Sequence, residues 1–202
     1  MENNIDLNKE ISFETFKKQV LEDYRIIVTS REASLLGRRE VLSGKAKFGI
    51  FGDGKELPQI ALAKVFQNGD FRSGYYRDQT FMIAIDELNV KQLFSGLYAN
   101  TDINEEPMSA GRQMGAHFNT PLLNTDGSWK KLINLKNSSS DVSCTGSQMP
   151  RLLGLAQASK LYRNLDFKNS DNFSINGNEI AWGTIGNAST SEGVFFEVLN
   201  AA

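Results

Sequence analysis

The strongest constraint on the fold lies in residues 180–202, which read IAWGTIGNASTSEGVFFEVLNAA. The apolar residues 180–182 predict a short buried strand, and the small residues of 186–191 predict a turn. A helix is expected to begin at residues 192–193. The residues spaced to share one face of that helix are Phe195, Val198, Leu199 and Ala202. A strand, a turn of small residues and a helix N-terminus form a crevice where backbone N–H groups can bind an anion, often a phosphate.

Composition and charge exclude several classes of protein. The 202 residues are 40% hydrophobic and 23% charged, which is typical of a globular protein of one domain or slightly more. The net charge of −2 provides no basic surface for nucleic acid. No apolar run approaches the roughly 20 residues of a membrane span. The single cysteine, Cys144, and the polar, acidic N-terminus favour a cytoplasmic protein, most simply a bacterial one.

The N-terminal segment is predicted to be helical. Ser12 can cap a helix that continues to about Gly37 or Gly44. The apolar residues that follow the cap at steps of three and four are Phe13, Phe16, Val20, Tyr24 and Ile27. We therefore interpret residues 1–44 as an N-terminal helical segment and residues 45–202 as a partial α/β domain.

Shorter elements are expected next. Residues 45–54 form a glycine-punctuated loop, in which residues 52–54 could be either a phosphate-binding turn or an ordinary tight turn. The other elements predicted in this half are helices over residues 57–66, 81–85 and 90–98.

The second half is predicted to contain more loop. Residues 120–140 are interpreted as a polar surface loop with Trp129 and Leu132 as anchors. Residues 141–150 predict a turn that leads into a helix, and residues 164–178 a polar linker. The residues of that helix expected to be buried are Leu153, Ala156 and Leu161.

Residues 186–193, which read GNASTSEG, resemble the diphosphate-binding motif of thiamine-diphosphate enzymes in the version found in the 2-oxo acid dehydrogenases. That family has G-D-G-A-x-S-E-G, followed by an apolar helix that carries an Asn. Here Asn187 replaces the metal-binding Asp and Ala188 the second Gly. The cofactor-binding residues implied in this turn are Gly186, Asn187, Ala188 and Ser189, with Asn187 as a magnesium ligand. Any strand, turn and helix of a parallel sheet uses similar residues, so this motif alone leaves both interpretations open.

Two other runs carry the same resemblance. Tyr76 and Arg77 match a Tyr-Arg pair that contacts the diphosphate in the family, and the planar fork of Arg suits phosphate oxygens. In the family this run ends a strand, and the alternative here is a strand-end Arg paired with Asp78 or another carboxylate. Residues 111–117 closely resemble the G-R-Q-M-P-x-H run of branched-chain 2-oxo acid dehydrogenases, with Gly115 in place of Pro.

The turn over residues 141–150 also resembles the family. There the matching run binds the cofactor through backbone groups, which implies Ser143 and Thr145, and a potassium site beneath it implies Ser147 and Gln148. A helix cap explains Ser147 equally well. The lone histidine, His117, lies near the active site by resemblance, and its role stays open.

The resemblance spans about residues 30–202 and implies a thiamine-diphosphate-binding α/β fold, with a mostly parallel sheet flanked by helices. It implies an α-subunit-like N-terminal portion of the decarboxylating component of a 2-oxo acid dehydrogenase, similar to the branched-chain 2-oxoisovalerate enzyme. The cofactors implied are thiamine diphosphate, magnesium and potassium. The partners implied are a 2-oxo acid, a pyrimidine-binding half in the same chain or a β subunit, and a lipoyl-bearing acyltransferase.

Several expectations concern the whole protein. The activating Glu lies in the family's pyrimidine-binding half, so no catalytic residue is assigned here. Because Ala202 follows a helical pattern without a cap, we expect a fragment truncated at its C-terminus, inactive alone and oligomeric at full length. The alternatives are a non-catalytic assembly module of the same fold, or an enzyme of this class that acts on pyruvate or acetoin.

Overall fold

A small parallel sheet organises the structure, a computed structural model that describes residues 10–168 and 170–202. The fold is α/β and rich in helix, and its three strands have the order β2-β1-β3. β1 is Phe71–Ser73, β2 is Asn137–Ser138 and β3 is Ala181–Gly183. Both β2 and β3 pair with β1 in parallel, so the carboxyl ends of all three strands lie at one edge of the sheet. The predicted parallel α/β sheet is confirmed for the part of the chain that the structure describes.

The N-terminal helix, α1, spans Phe13–Leu42 and ends between the two predicted ends. Its cap is confirmed, because Ser12 Oγ accepts a hydrogen bond from the N–H of Thr15 at 3.2 Å. The apolar residues of its first half are not in the core, contrary to their pattern, and Phe13 is 72% exposed. The other large apolar side chains exposed there are Phe16, Val20, Leu21 and Tyr24. A helix of 30 residues is about 45 Å long, and α1 is buried against α2, α3 and α4 only in its second half.

Three short helices form most of the core with α1. These are α2 at Glu56–Val65, α3 at Gln79–Ala84 and α4 at Val90–Leu97, each within about two residues of its prediction. Phe66 and Phe81 meet edge to face with ring centroids 5.1 Å apart. The buried cluster around them is Ala33, Met82, Ile85, Leu88, Leu93, Ala116 and Phe118. The division of the chain into residues 1–44 and 45–202 stays a prediction.

The two faces of the sheet are covered differently. One face packs against α5, which spans Gln148–Asn164, and Ser73 Oγ of β1 donates a hydrogen bond to the carbonyl of Gln148. On the other face, Trp182 of β3 lies with its ring 6.4 Å from Phe66, and Arg72 of β1 is fully buried. This alternation along short strands puts a charged residue inside the protein at the centre of the sheet.

The predicted buried face of α5 is wrong. Ala156 and Leu161 are exposed and Leu153 is only half-buried, whereas Gln148 and Met149 are buried. Leu152 instead lies against β3, so closely that a β-carbon on Gly183 would collide with it. The helix is therefore rotated by about one residue relative to the prediction.

Residues 120–140 contain more regular structure than a loop. They include β2, an isolated bridge between Leu123 and Trp129, and a 3-10 turn at Leu132–Asn134. Leu132 is buried as predicted, but Trp129 is 52% exposed, and its ring meets that of Phe173 edge to face. Backbone pairing with Arg72 of the central strand, rather than hydrophobic pattern, forms β2.

The C-terminal stretch follows the predicted order of strand, turn and helix. The strand is displaced by one residue from the predicted 180–182, and Ile180 is 52% exposed. The helix, α6, spans Gly193–Ala201, and only Val198 of its predicted apolar face is buried. Leu199 and Ala202 are exposed and Phe195 is half-buried, since α6 packs mainly against α5 and the preceding turn.

In the predicted linker over residues 164–178, a 3-10 turn occurs at Ser170–Asn172, and residue 169 lies outside the described residues, as do residues 1–9. None of the described helices combines the length and the apolarity that crossing a membrane requires.

Candidate functional site

Three loops meet at the carboxyl edge of the sheet, and we call them edge loops 1, 2 and 3. They are residues 74–78 after β1, residues 139–147 after β2 and residues 184–192 after β3. In parallel α/β sheets ligands bind at this edge. The structure thus brings the predicted Tyr-Arg pair, the Ser-Thr turn and the C-terminal motif to one side of the molecule.

Tyr76 and Arg77 lie half-buried in edge loop 1. The guanidinium carbon of Arg77 is 5.1 Å from the centre of the Tyr76 ring. The Arg77 carbonyl accepts a hydrogen bond from Gln59 Nε2 at 3.0 Å. The sequence alternative of an Arg77–Asp78 pair is not what the structure shows, because the carboxylate of Asp78 binds Arg72. The Arg77 backbone is thus held while its guanidinium stays at the rim of the edge.

The glycine turn over residues 52–54 supports edge loop 1 from below. A β-carbon on Gly52 would collide with the carbonyl of Arg77. Asp53 pairs with Arg38 at 2.5 Å, and the N–H of Gly54 donates to Glu56. These contacts favour the tight-turn interpretation over a phosphate-binding turn.

The segment of residues 111–118 also reaches the site. His117 is 8% exposed, and its Nε2 lies 2.7 Å from Ser143 Oγ in edge loop 2. Its ring centre is 6.2 Å from that of Tyr76. Gln113 Nε2 donates to Ser140 Oγ at 2.5 Å. His117 therefore joins edge loop 1 to edge loop 2.

A buried carboxylate shapes the start of this segment. Glu106 accepts hydrogen bonds from the N–H groups of Met108 at 3.0 Å, Ser109 at 2.9 Å and Gly111 at 2.9 Å. Burial acts to raise the pKa of Glu106, but these N–H groups and the Ser109 hydroxyl outweigh it, so the pKa is lowered. Glu106 therefore stays charged and holds the turn.

In edge loop 2, Ser143 and Thr145 are exposed to solvent. Ser147 occupies the N-cap position of α5, as the alternative predicts, but its side chain makes no capping hydrogen bond. Gln148 is buried, and its Nε2 donates to the carbonyl of Thr184 at 3.0 Å. Gln148 therefore ties α5 to the start of edge loop 3, and the potassium role for Ser147 and Gln148 stays a prediction.

Edge loop 3 exposes the residues of the predicted motif. Asn187 is exposed, its side chain caps nothing, and its carbonyl accepts a bond from Thr190 Oγ1 at 2.7 Å. Ala188 is exposed, whereas Gly186 and Ser189 are half-buried. A β-carbon on Gly186 would lie 3.8 Å from the ring of Tyr75, so edge loops 1 and 3 approach closely. The Asn187 amide faces solvent beside them.

Edge loop 2 and α6 are also in contact. Gly146 has a φ of +77°, in the left-handed region, and a β-carbon there would lie 2.9 Å from Val194. A glycine is needed because both the backbone angle and the approach of α6 disfavour a side chain. This contact sets the N-terminus of α6 against edge loop 2.

A buried ion cluster lies beneath the loops, and none of the sequence motifs predicted it. Arg72 contacts Asp78 at 2.7 Å and Asp141 at 2.9 Å, and all three are buried. Burial opposes the charge of Arg72, but the two carboxylates together raise its pKa. Burial raises the pKa of Asp141 despite the guanidinium beside it. Its one sequence signal was a charged residue at the centre of a buried strand.

The comparison with known families assigns the chain to one of them. Residues 25–202 match the model of the dehydrogenase E1 component. The chain belongs to the dehydrogenase E1 component family. This family comprises components of 2-oxo acid dehydrogenases, which generally use thiamine diphosphate. No curated protein matches the chain.

The donor groups at the edge of this E1 chain fit a diphosphate. Arg77 offers a cationic fork, and the N-terminus of the nine-residue helix α6 faces the same edge. Asn187 offers one exposed amide oxygen, a hard ligand of the kind magnesium accepts. Among the described residues no group of three or more His, Cys, Asp or Glu is arranged to hold a metal ion.

Proposed function

We propose that this E1 chain binds the diphosphate of thiamine diphosphate at the carboxyl edge of its sheet. The observation that carries the proposal is the meeting of three loops after three parallel strands, each holding a run that resembles the family. Tyr76 and Arg77 come from edge loop 1, Ser143 and Thr145 from edge loop 2, and the motif that begins at Gly186 from edge loop 3. A chance match of one motif would not place the other two beside it.

Each part of the edge has a distinct role in the proposal. Arg77 binds phosphate oxygens through its fork, and Tyr76 supports it. The backbone of edge loop 3 and the N-terminus of α6 provide N–H donors. Asn187 binds magnesium as a neutral ligand beside the diphosphate oxygens, and Ser147 with Gln148 contributes to a potassium site.

The reaction proposed is decarboxylation of a 2-oxo acid, with transfer of the acyl group to lipoyl on a dihydrolipoyl acyltransferase. When bound, thiamine diphosphate supplies the electron sink for the carbon–carbon bond cleavage. This chain's residues bind and orient the cofactor, and a pyrimidine-binding half, in the same chain or in a partner, completes the site. The assembled enzyme is proposed to be oligomeric and cytoplasmic.

A branched-chain 2-oxo acid is the substrate that we favour. The support is the run over residues 111–117, which resembles that of the branched-chain enzymes and lies beside edge loop 2 through the contact of His117 with Ser143. His117 therefore lies where a residue can line the substrate side of the site. Pyruvate or acetoin is the alternative substrate.

A second candidate function is a non-catalytic assembly module of the same fold. It is favoured by Asn187 and Ala188, which replace the family's Asp and Gly, and by the lack of an acidic metal group among the described residues. The intact Gly186 and the ordered turn after it favour the enzyme.

The test is reconstitution of this chain with its pyrimidine-binding half. We expect carbon dioxide release from 3-methyl-2-oxobutanoate that requires thiamine diphosphate and magnesium, with slower release from pyruvate. Faster turnover of pyruvate or acetoin would shift the substrate assignment. An assembled protein that binds neither cofactor nor substrate would support the assembly module instead.

A further inference from the structure

The buried ion cluster connects all three edge loops to the sheet. Arg72 lies on the central strand with no exposed surface. Its Nε and one terminal nitrogen contact Asp78 Oδ2 at 2.9 and 2.7 Å. The same guanidinium reaches Asp141 at 2.9 Å and Ser138 Oγ at 2.6 Å. Asp78 belongs to edge loop 1 and Asp141 to edge loop 2.

Thr184 brings edge loop 3 into the same cluster. Its hydroxyl donates a hydrogen bond to Asp78 Oδ2, the oxygen that also accepts from Arg72 and from the N–H of Tyr75. Its carbonyl accepts from Gln148 Nε2 at 3.0 Å. One carboxylate oxygen therefore contacts β1, edge loop 1 and edge loop 3.

Each member of the cluster is a near neighbour of a residue that the proposed site uses. Asp78 follows Arg77 directly, Asp141 lies two residues before Ser143, and Thr184 lies two residues before Gly186. A displacement of any of these anchors would move its neighbour by a comparable amount. Positional shifts near 1 Å are large for a binding site.

Stability alone is a weak reason for this arrangement. Two buried carboxylates share one guanidinium, so neither carboxylate has a cation to itself. A buried ion pair is often no more stabilising than apolar residues of the same volume, and fixing one arrangement is its best-attested use. Gly74 closes tightly over Arg72, since a β-carbon there would collide with the guanidinium.

We propose that the cluster sets the relative placement of the three edge loops, which makes Arg72, Asp78, Asp141 and Thr184 positioning residues for the diphosphate site. This inference rests on the proposed function. Thr184 is the member to test, because it carries no charge and is half-buried, so its substitution leaves the ion pairs in place.

The experiment compares three variants of the assembled enzyme. Thr184→Val removes the hydroxyl and keeps the shape, whereas Thr184→Ser keeps the hydroxyl. Thr80→Val is the control, because Thr80 is a buried threonine whose hydroxyl bonds Ser30 Oγ at 2.7 Å between α1 and α3, away from the edge loops. We expect Thr184→Val to weaken the binding of thiamine diphosphate with magnesium about tenfold, which corresponds to about 1.4 kcal/mol. The affinity of Thr184→Ser and of Thr80→Val for thiamine diphosphate with magnesium should stay within about twofold of the wild-type value.

Hydrogen exchange in the absence of cofactor separates this inference from the proposed function. Thr184→Val should speed amide exchange in both residues 185–192 and residues 75–77, while Thr80→Val should speed it only in α1 and α3. A Thr184→Val protein of lowered thermal stability with unchanged cofactor affinity and unchanged exchange in the edge loops would overturn the positioning role. A wild-type enzyme that binds no thiamine diphosphate would refute the proposed function, and the exchange result would then decide the positioning role alone.

Discussion

Single residues at the carboxyl edge combine a fixed backbone with a side chain that can reach a ligand. The Arg77 carbonyl is held by Gln59 at 3.0 Å, while its guanidinium lies over Tyr76 at the rim. The Asn187 carbonyl is bonded within its turn, while its amide is exposed. Ligand binding at such a site costs little conformational entropy, because the backbone is already ordered.

Arg77→Ala should weaken the binding of thiamine diphosphate to the assembled enzyme at least tenfold, by calorimetry. A charge-assisted hydrogen bond typically contributes about 1.5–3 kcal/mol. Arg77→Lys should bind with intermediate affinity, because it keeps the charge and loses the planar fork. Arg39→Ala, an exposed position on α1, is the control and should bind like the wild type. An unchanged affinity of Arg77→Ala for thiamine diphosphate would mean that Arg77 has a structural role instead.

Asn187 is expected to bind magnesium as a neutral ligand. Magnesium usually combines one or two carboxylates with phosphate oxygens, and the diphosphate carries most of the negative charge. Titration with magnesium and thiamine diphosphate should therefore show equal or tighter metal binding in Asn187→Asp and a loss in Asn187→Leu. The same affinities in the wild type and both variants would mean that Asn187 does not touch the site.

At the scale of elements, local sequence signals predict where a helix begins and ends, whereas long-range contacts determine which face of the helix is buried. The bounds of α2 could be predicted within one residue because a glycine turn and Pro58 mark its start. The face of α5 could not, since Leu152, Leu153 and Leu155 together cover more than one side of the helix. Only the sheet decides which of them is buried. Helix bounds are thus local properties here, whereas helix rotation is not.

The residues of the candidate site also fall into those that the local sequence predicts and those that it does not. Runs with a family pattern, such as those at Arg77 and Gly186, were predicted from sequence and lie at the same edge. The cluster of Arg72, Asp141 and Thr184 was not predicted, because its contacts join residues 69 and 106 positions apart. Nothing in the local sequence around a short strand indicates such partners.

The contact between α1 and α2 should make stability sensitive to acid. Glu56 is 4% exposed, and its carboxylate binds Arg31 at 2.6 and 2.8 Å and the N–H of Gly54 at 3.0 Å. The guanidinium of Arg31, with help from backbone N–H groups and against burial, lowers the pKa of Glu56 to about 2. A lowered pKa means that the folded state binds this proton less readily than the unfolded state. The stabilisation is therefore present above the unfolded pKa, near 4.5, and is lost as the pH falls towards 2.

Glu56→Gln tests this contribution. Because Arg31 is partly exposed, we expect a loss of about 1–2 kcal/mol in the free energy of unfolding at pH 7, measured in urea. The difference from the wild type should shrink between pH 5 and pH 2. Glu22→Gln, which breaks the exposed pair with Arg25 on the same helix, should change stability little at any pH. An equal effect of both variants would contradict a special role for the α1–α2 contact.

At the scale of the whole molecule, the carboxyl edge is open on one side. Thr145, Asn187 and Ala188 are all exposed although they belong to the proposed site. Enzymes that separate charge at a reacting centre exclude water, since fixed dipoles act more strongly in a dry site. In the proposed site the described residues hold the cofactor from one side, and we expect the pyrimidine-binding half to cover the other.

The 202-residue chain alone should therefore release no carbon dioxide from 3-methyl-2-oxobutanoate, even with saturating thiamine diphosphate and magnesium. Adding the proposed pyrimidine-binding half should restore release, because we expect it to bring the activating carboxylate and to close the site. A cooperative urea transition of the chain alone, measured on the same sample, excludes misfolding as the reason for inactivity. Release by the purified chain at rates of about 1 per second or more, which are ordinary for enzymes, would show that this edge is a complete active site and that the proposed second half is not needed.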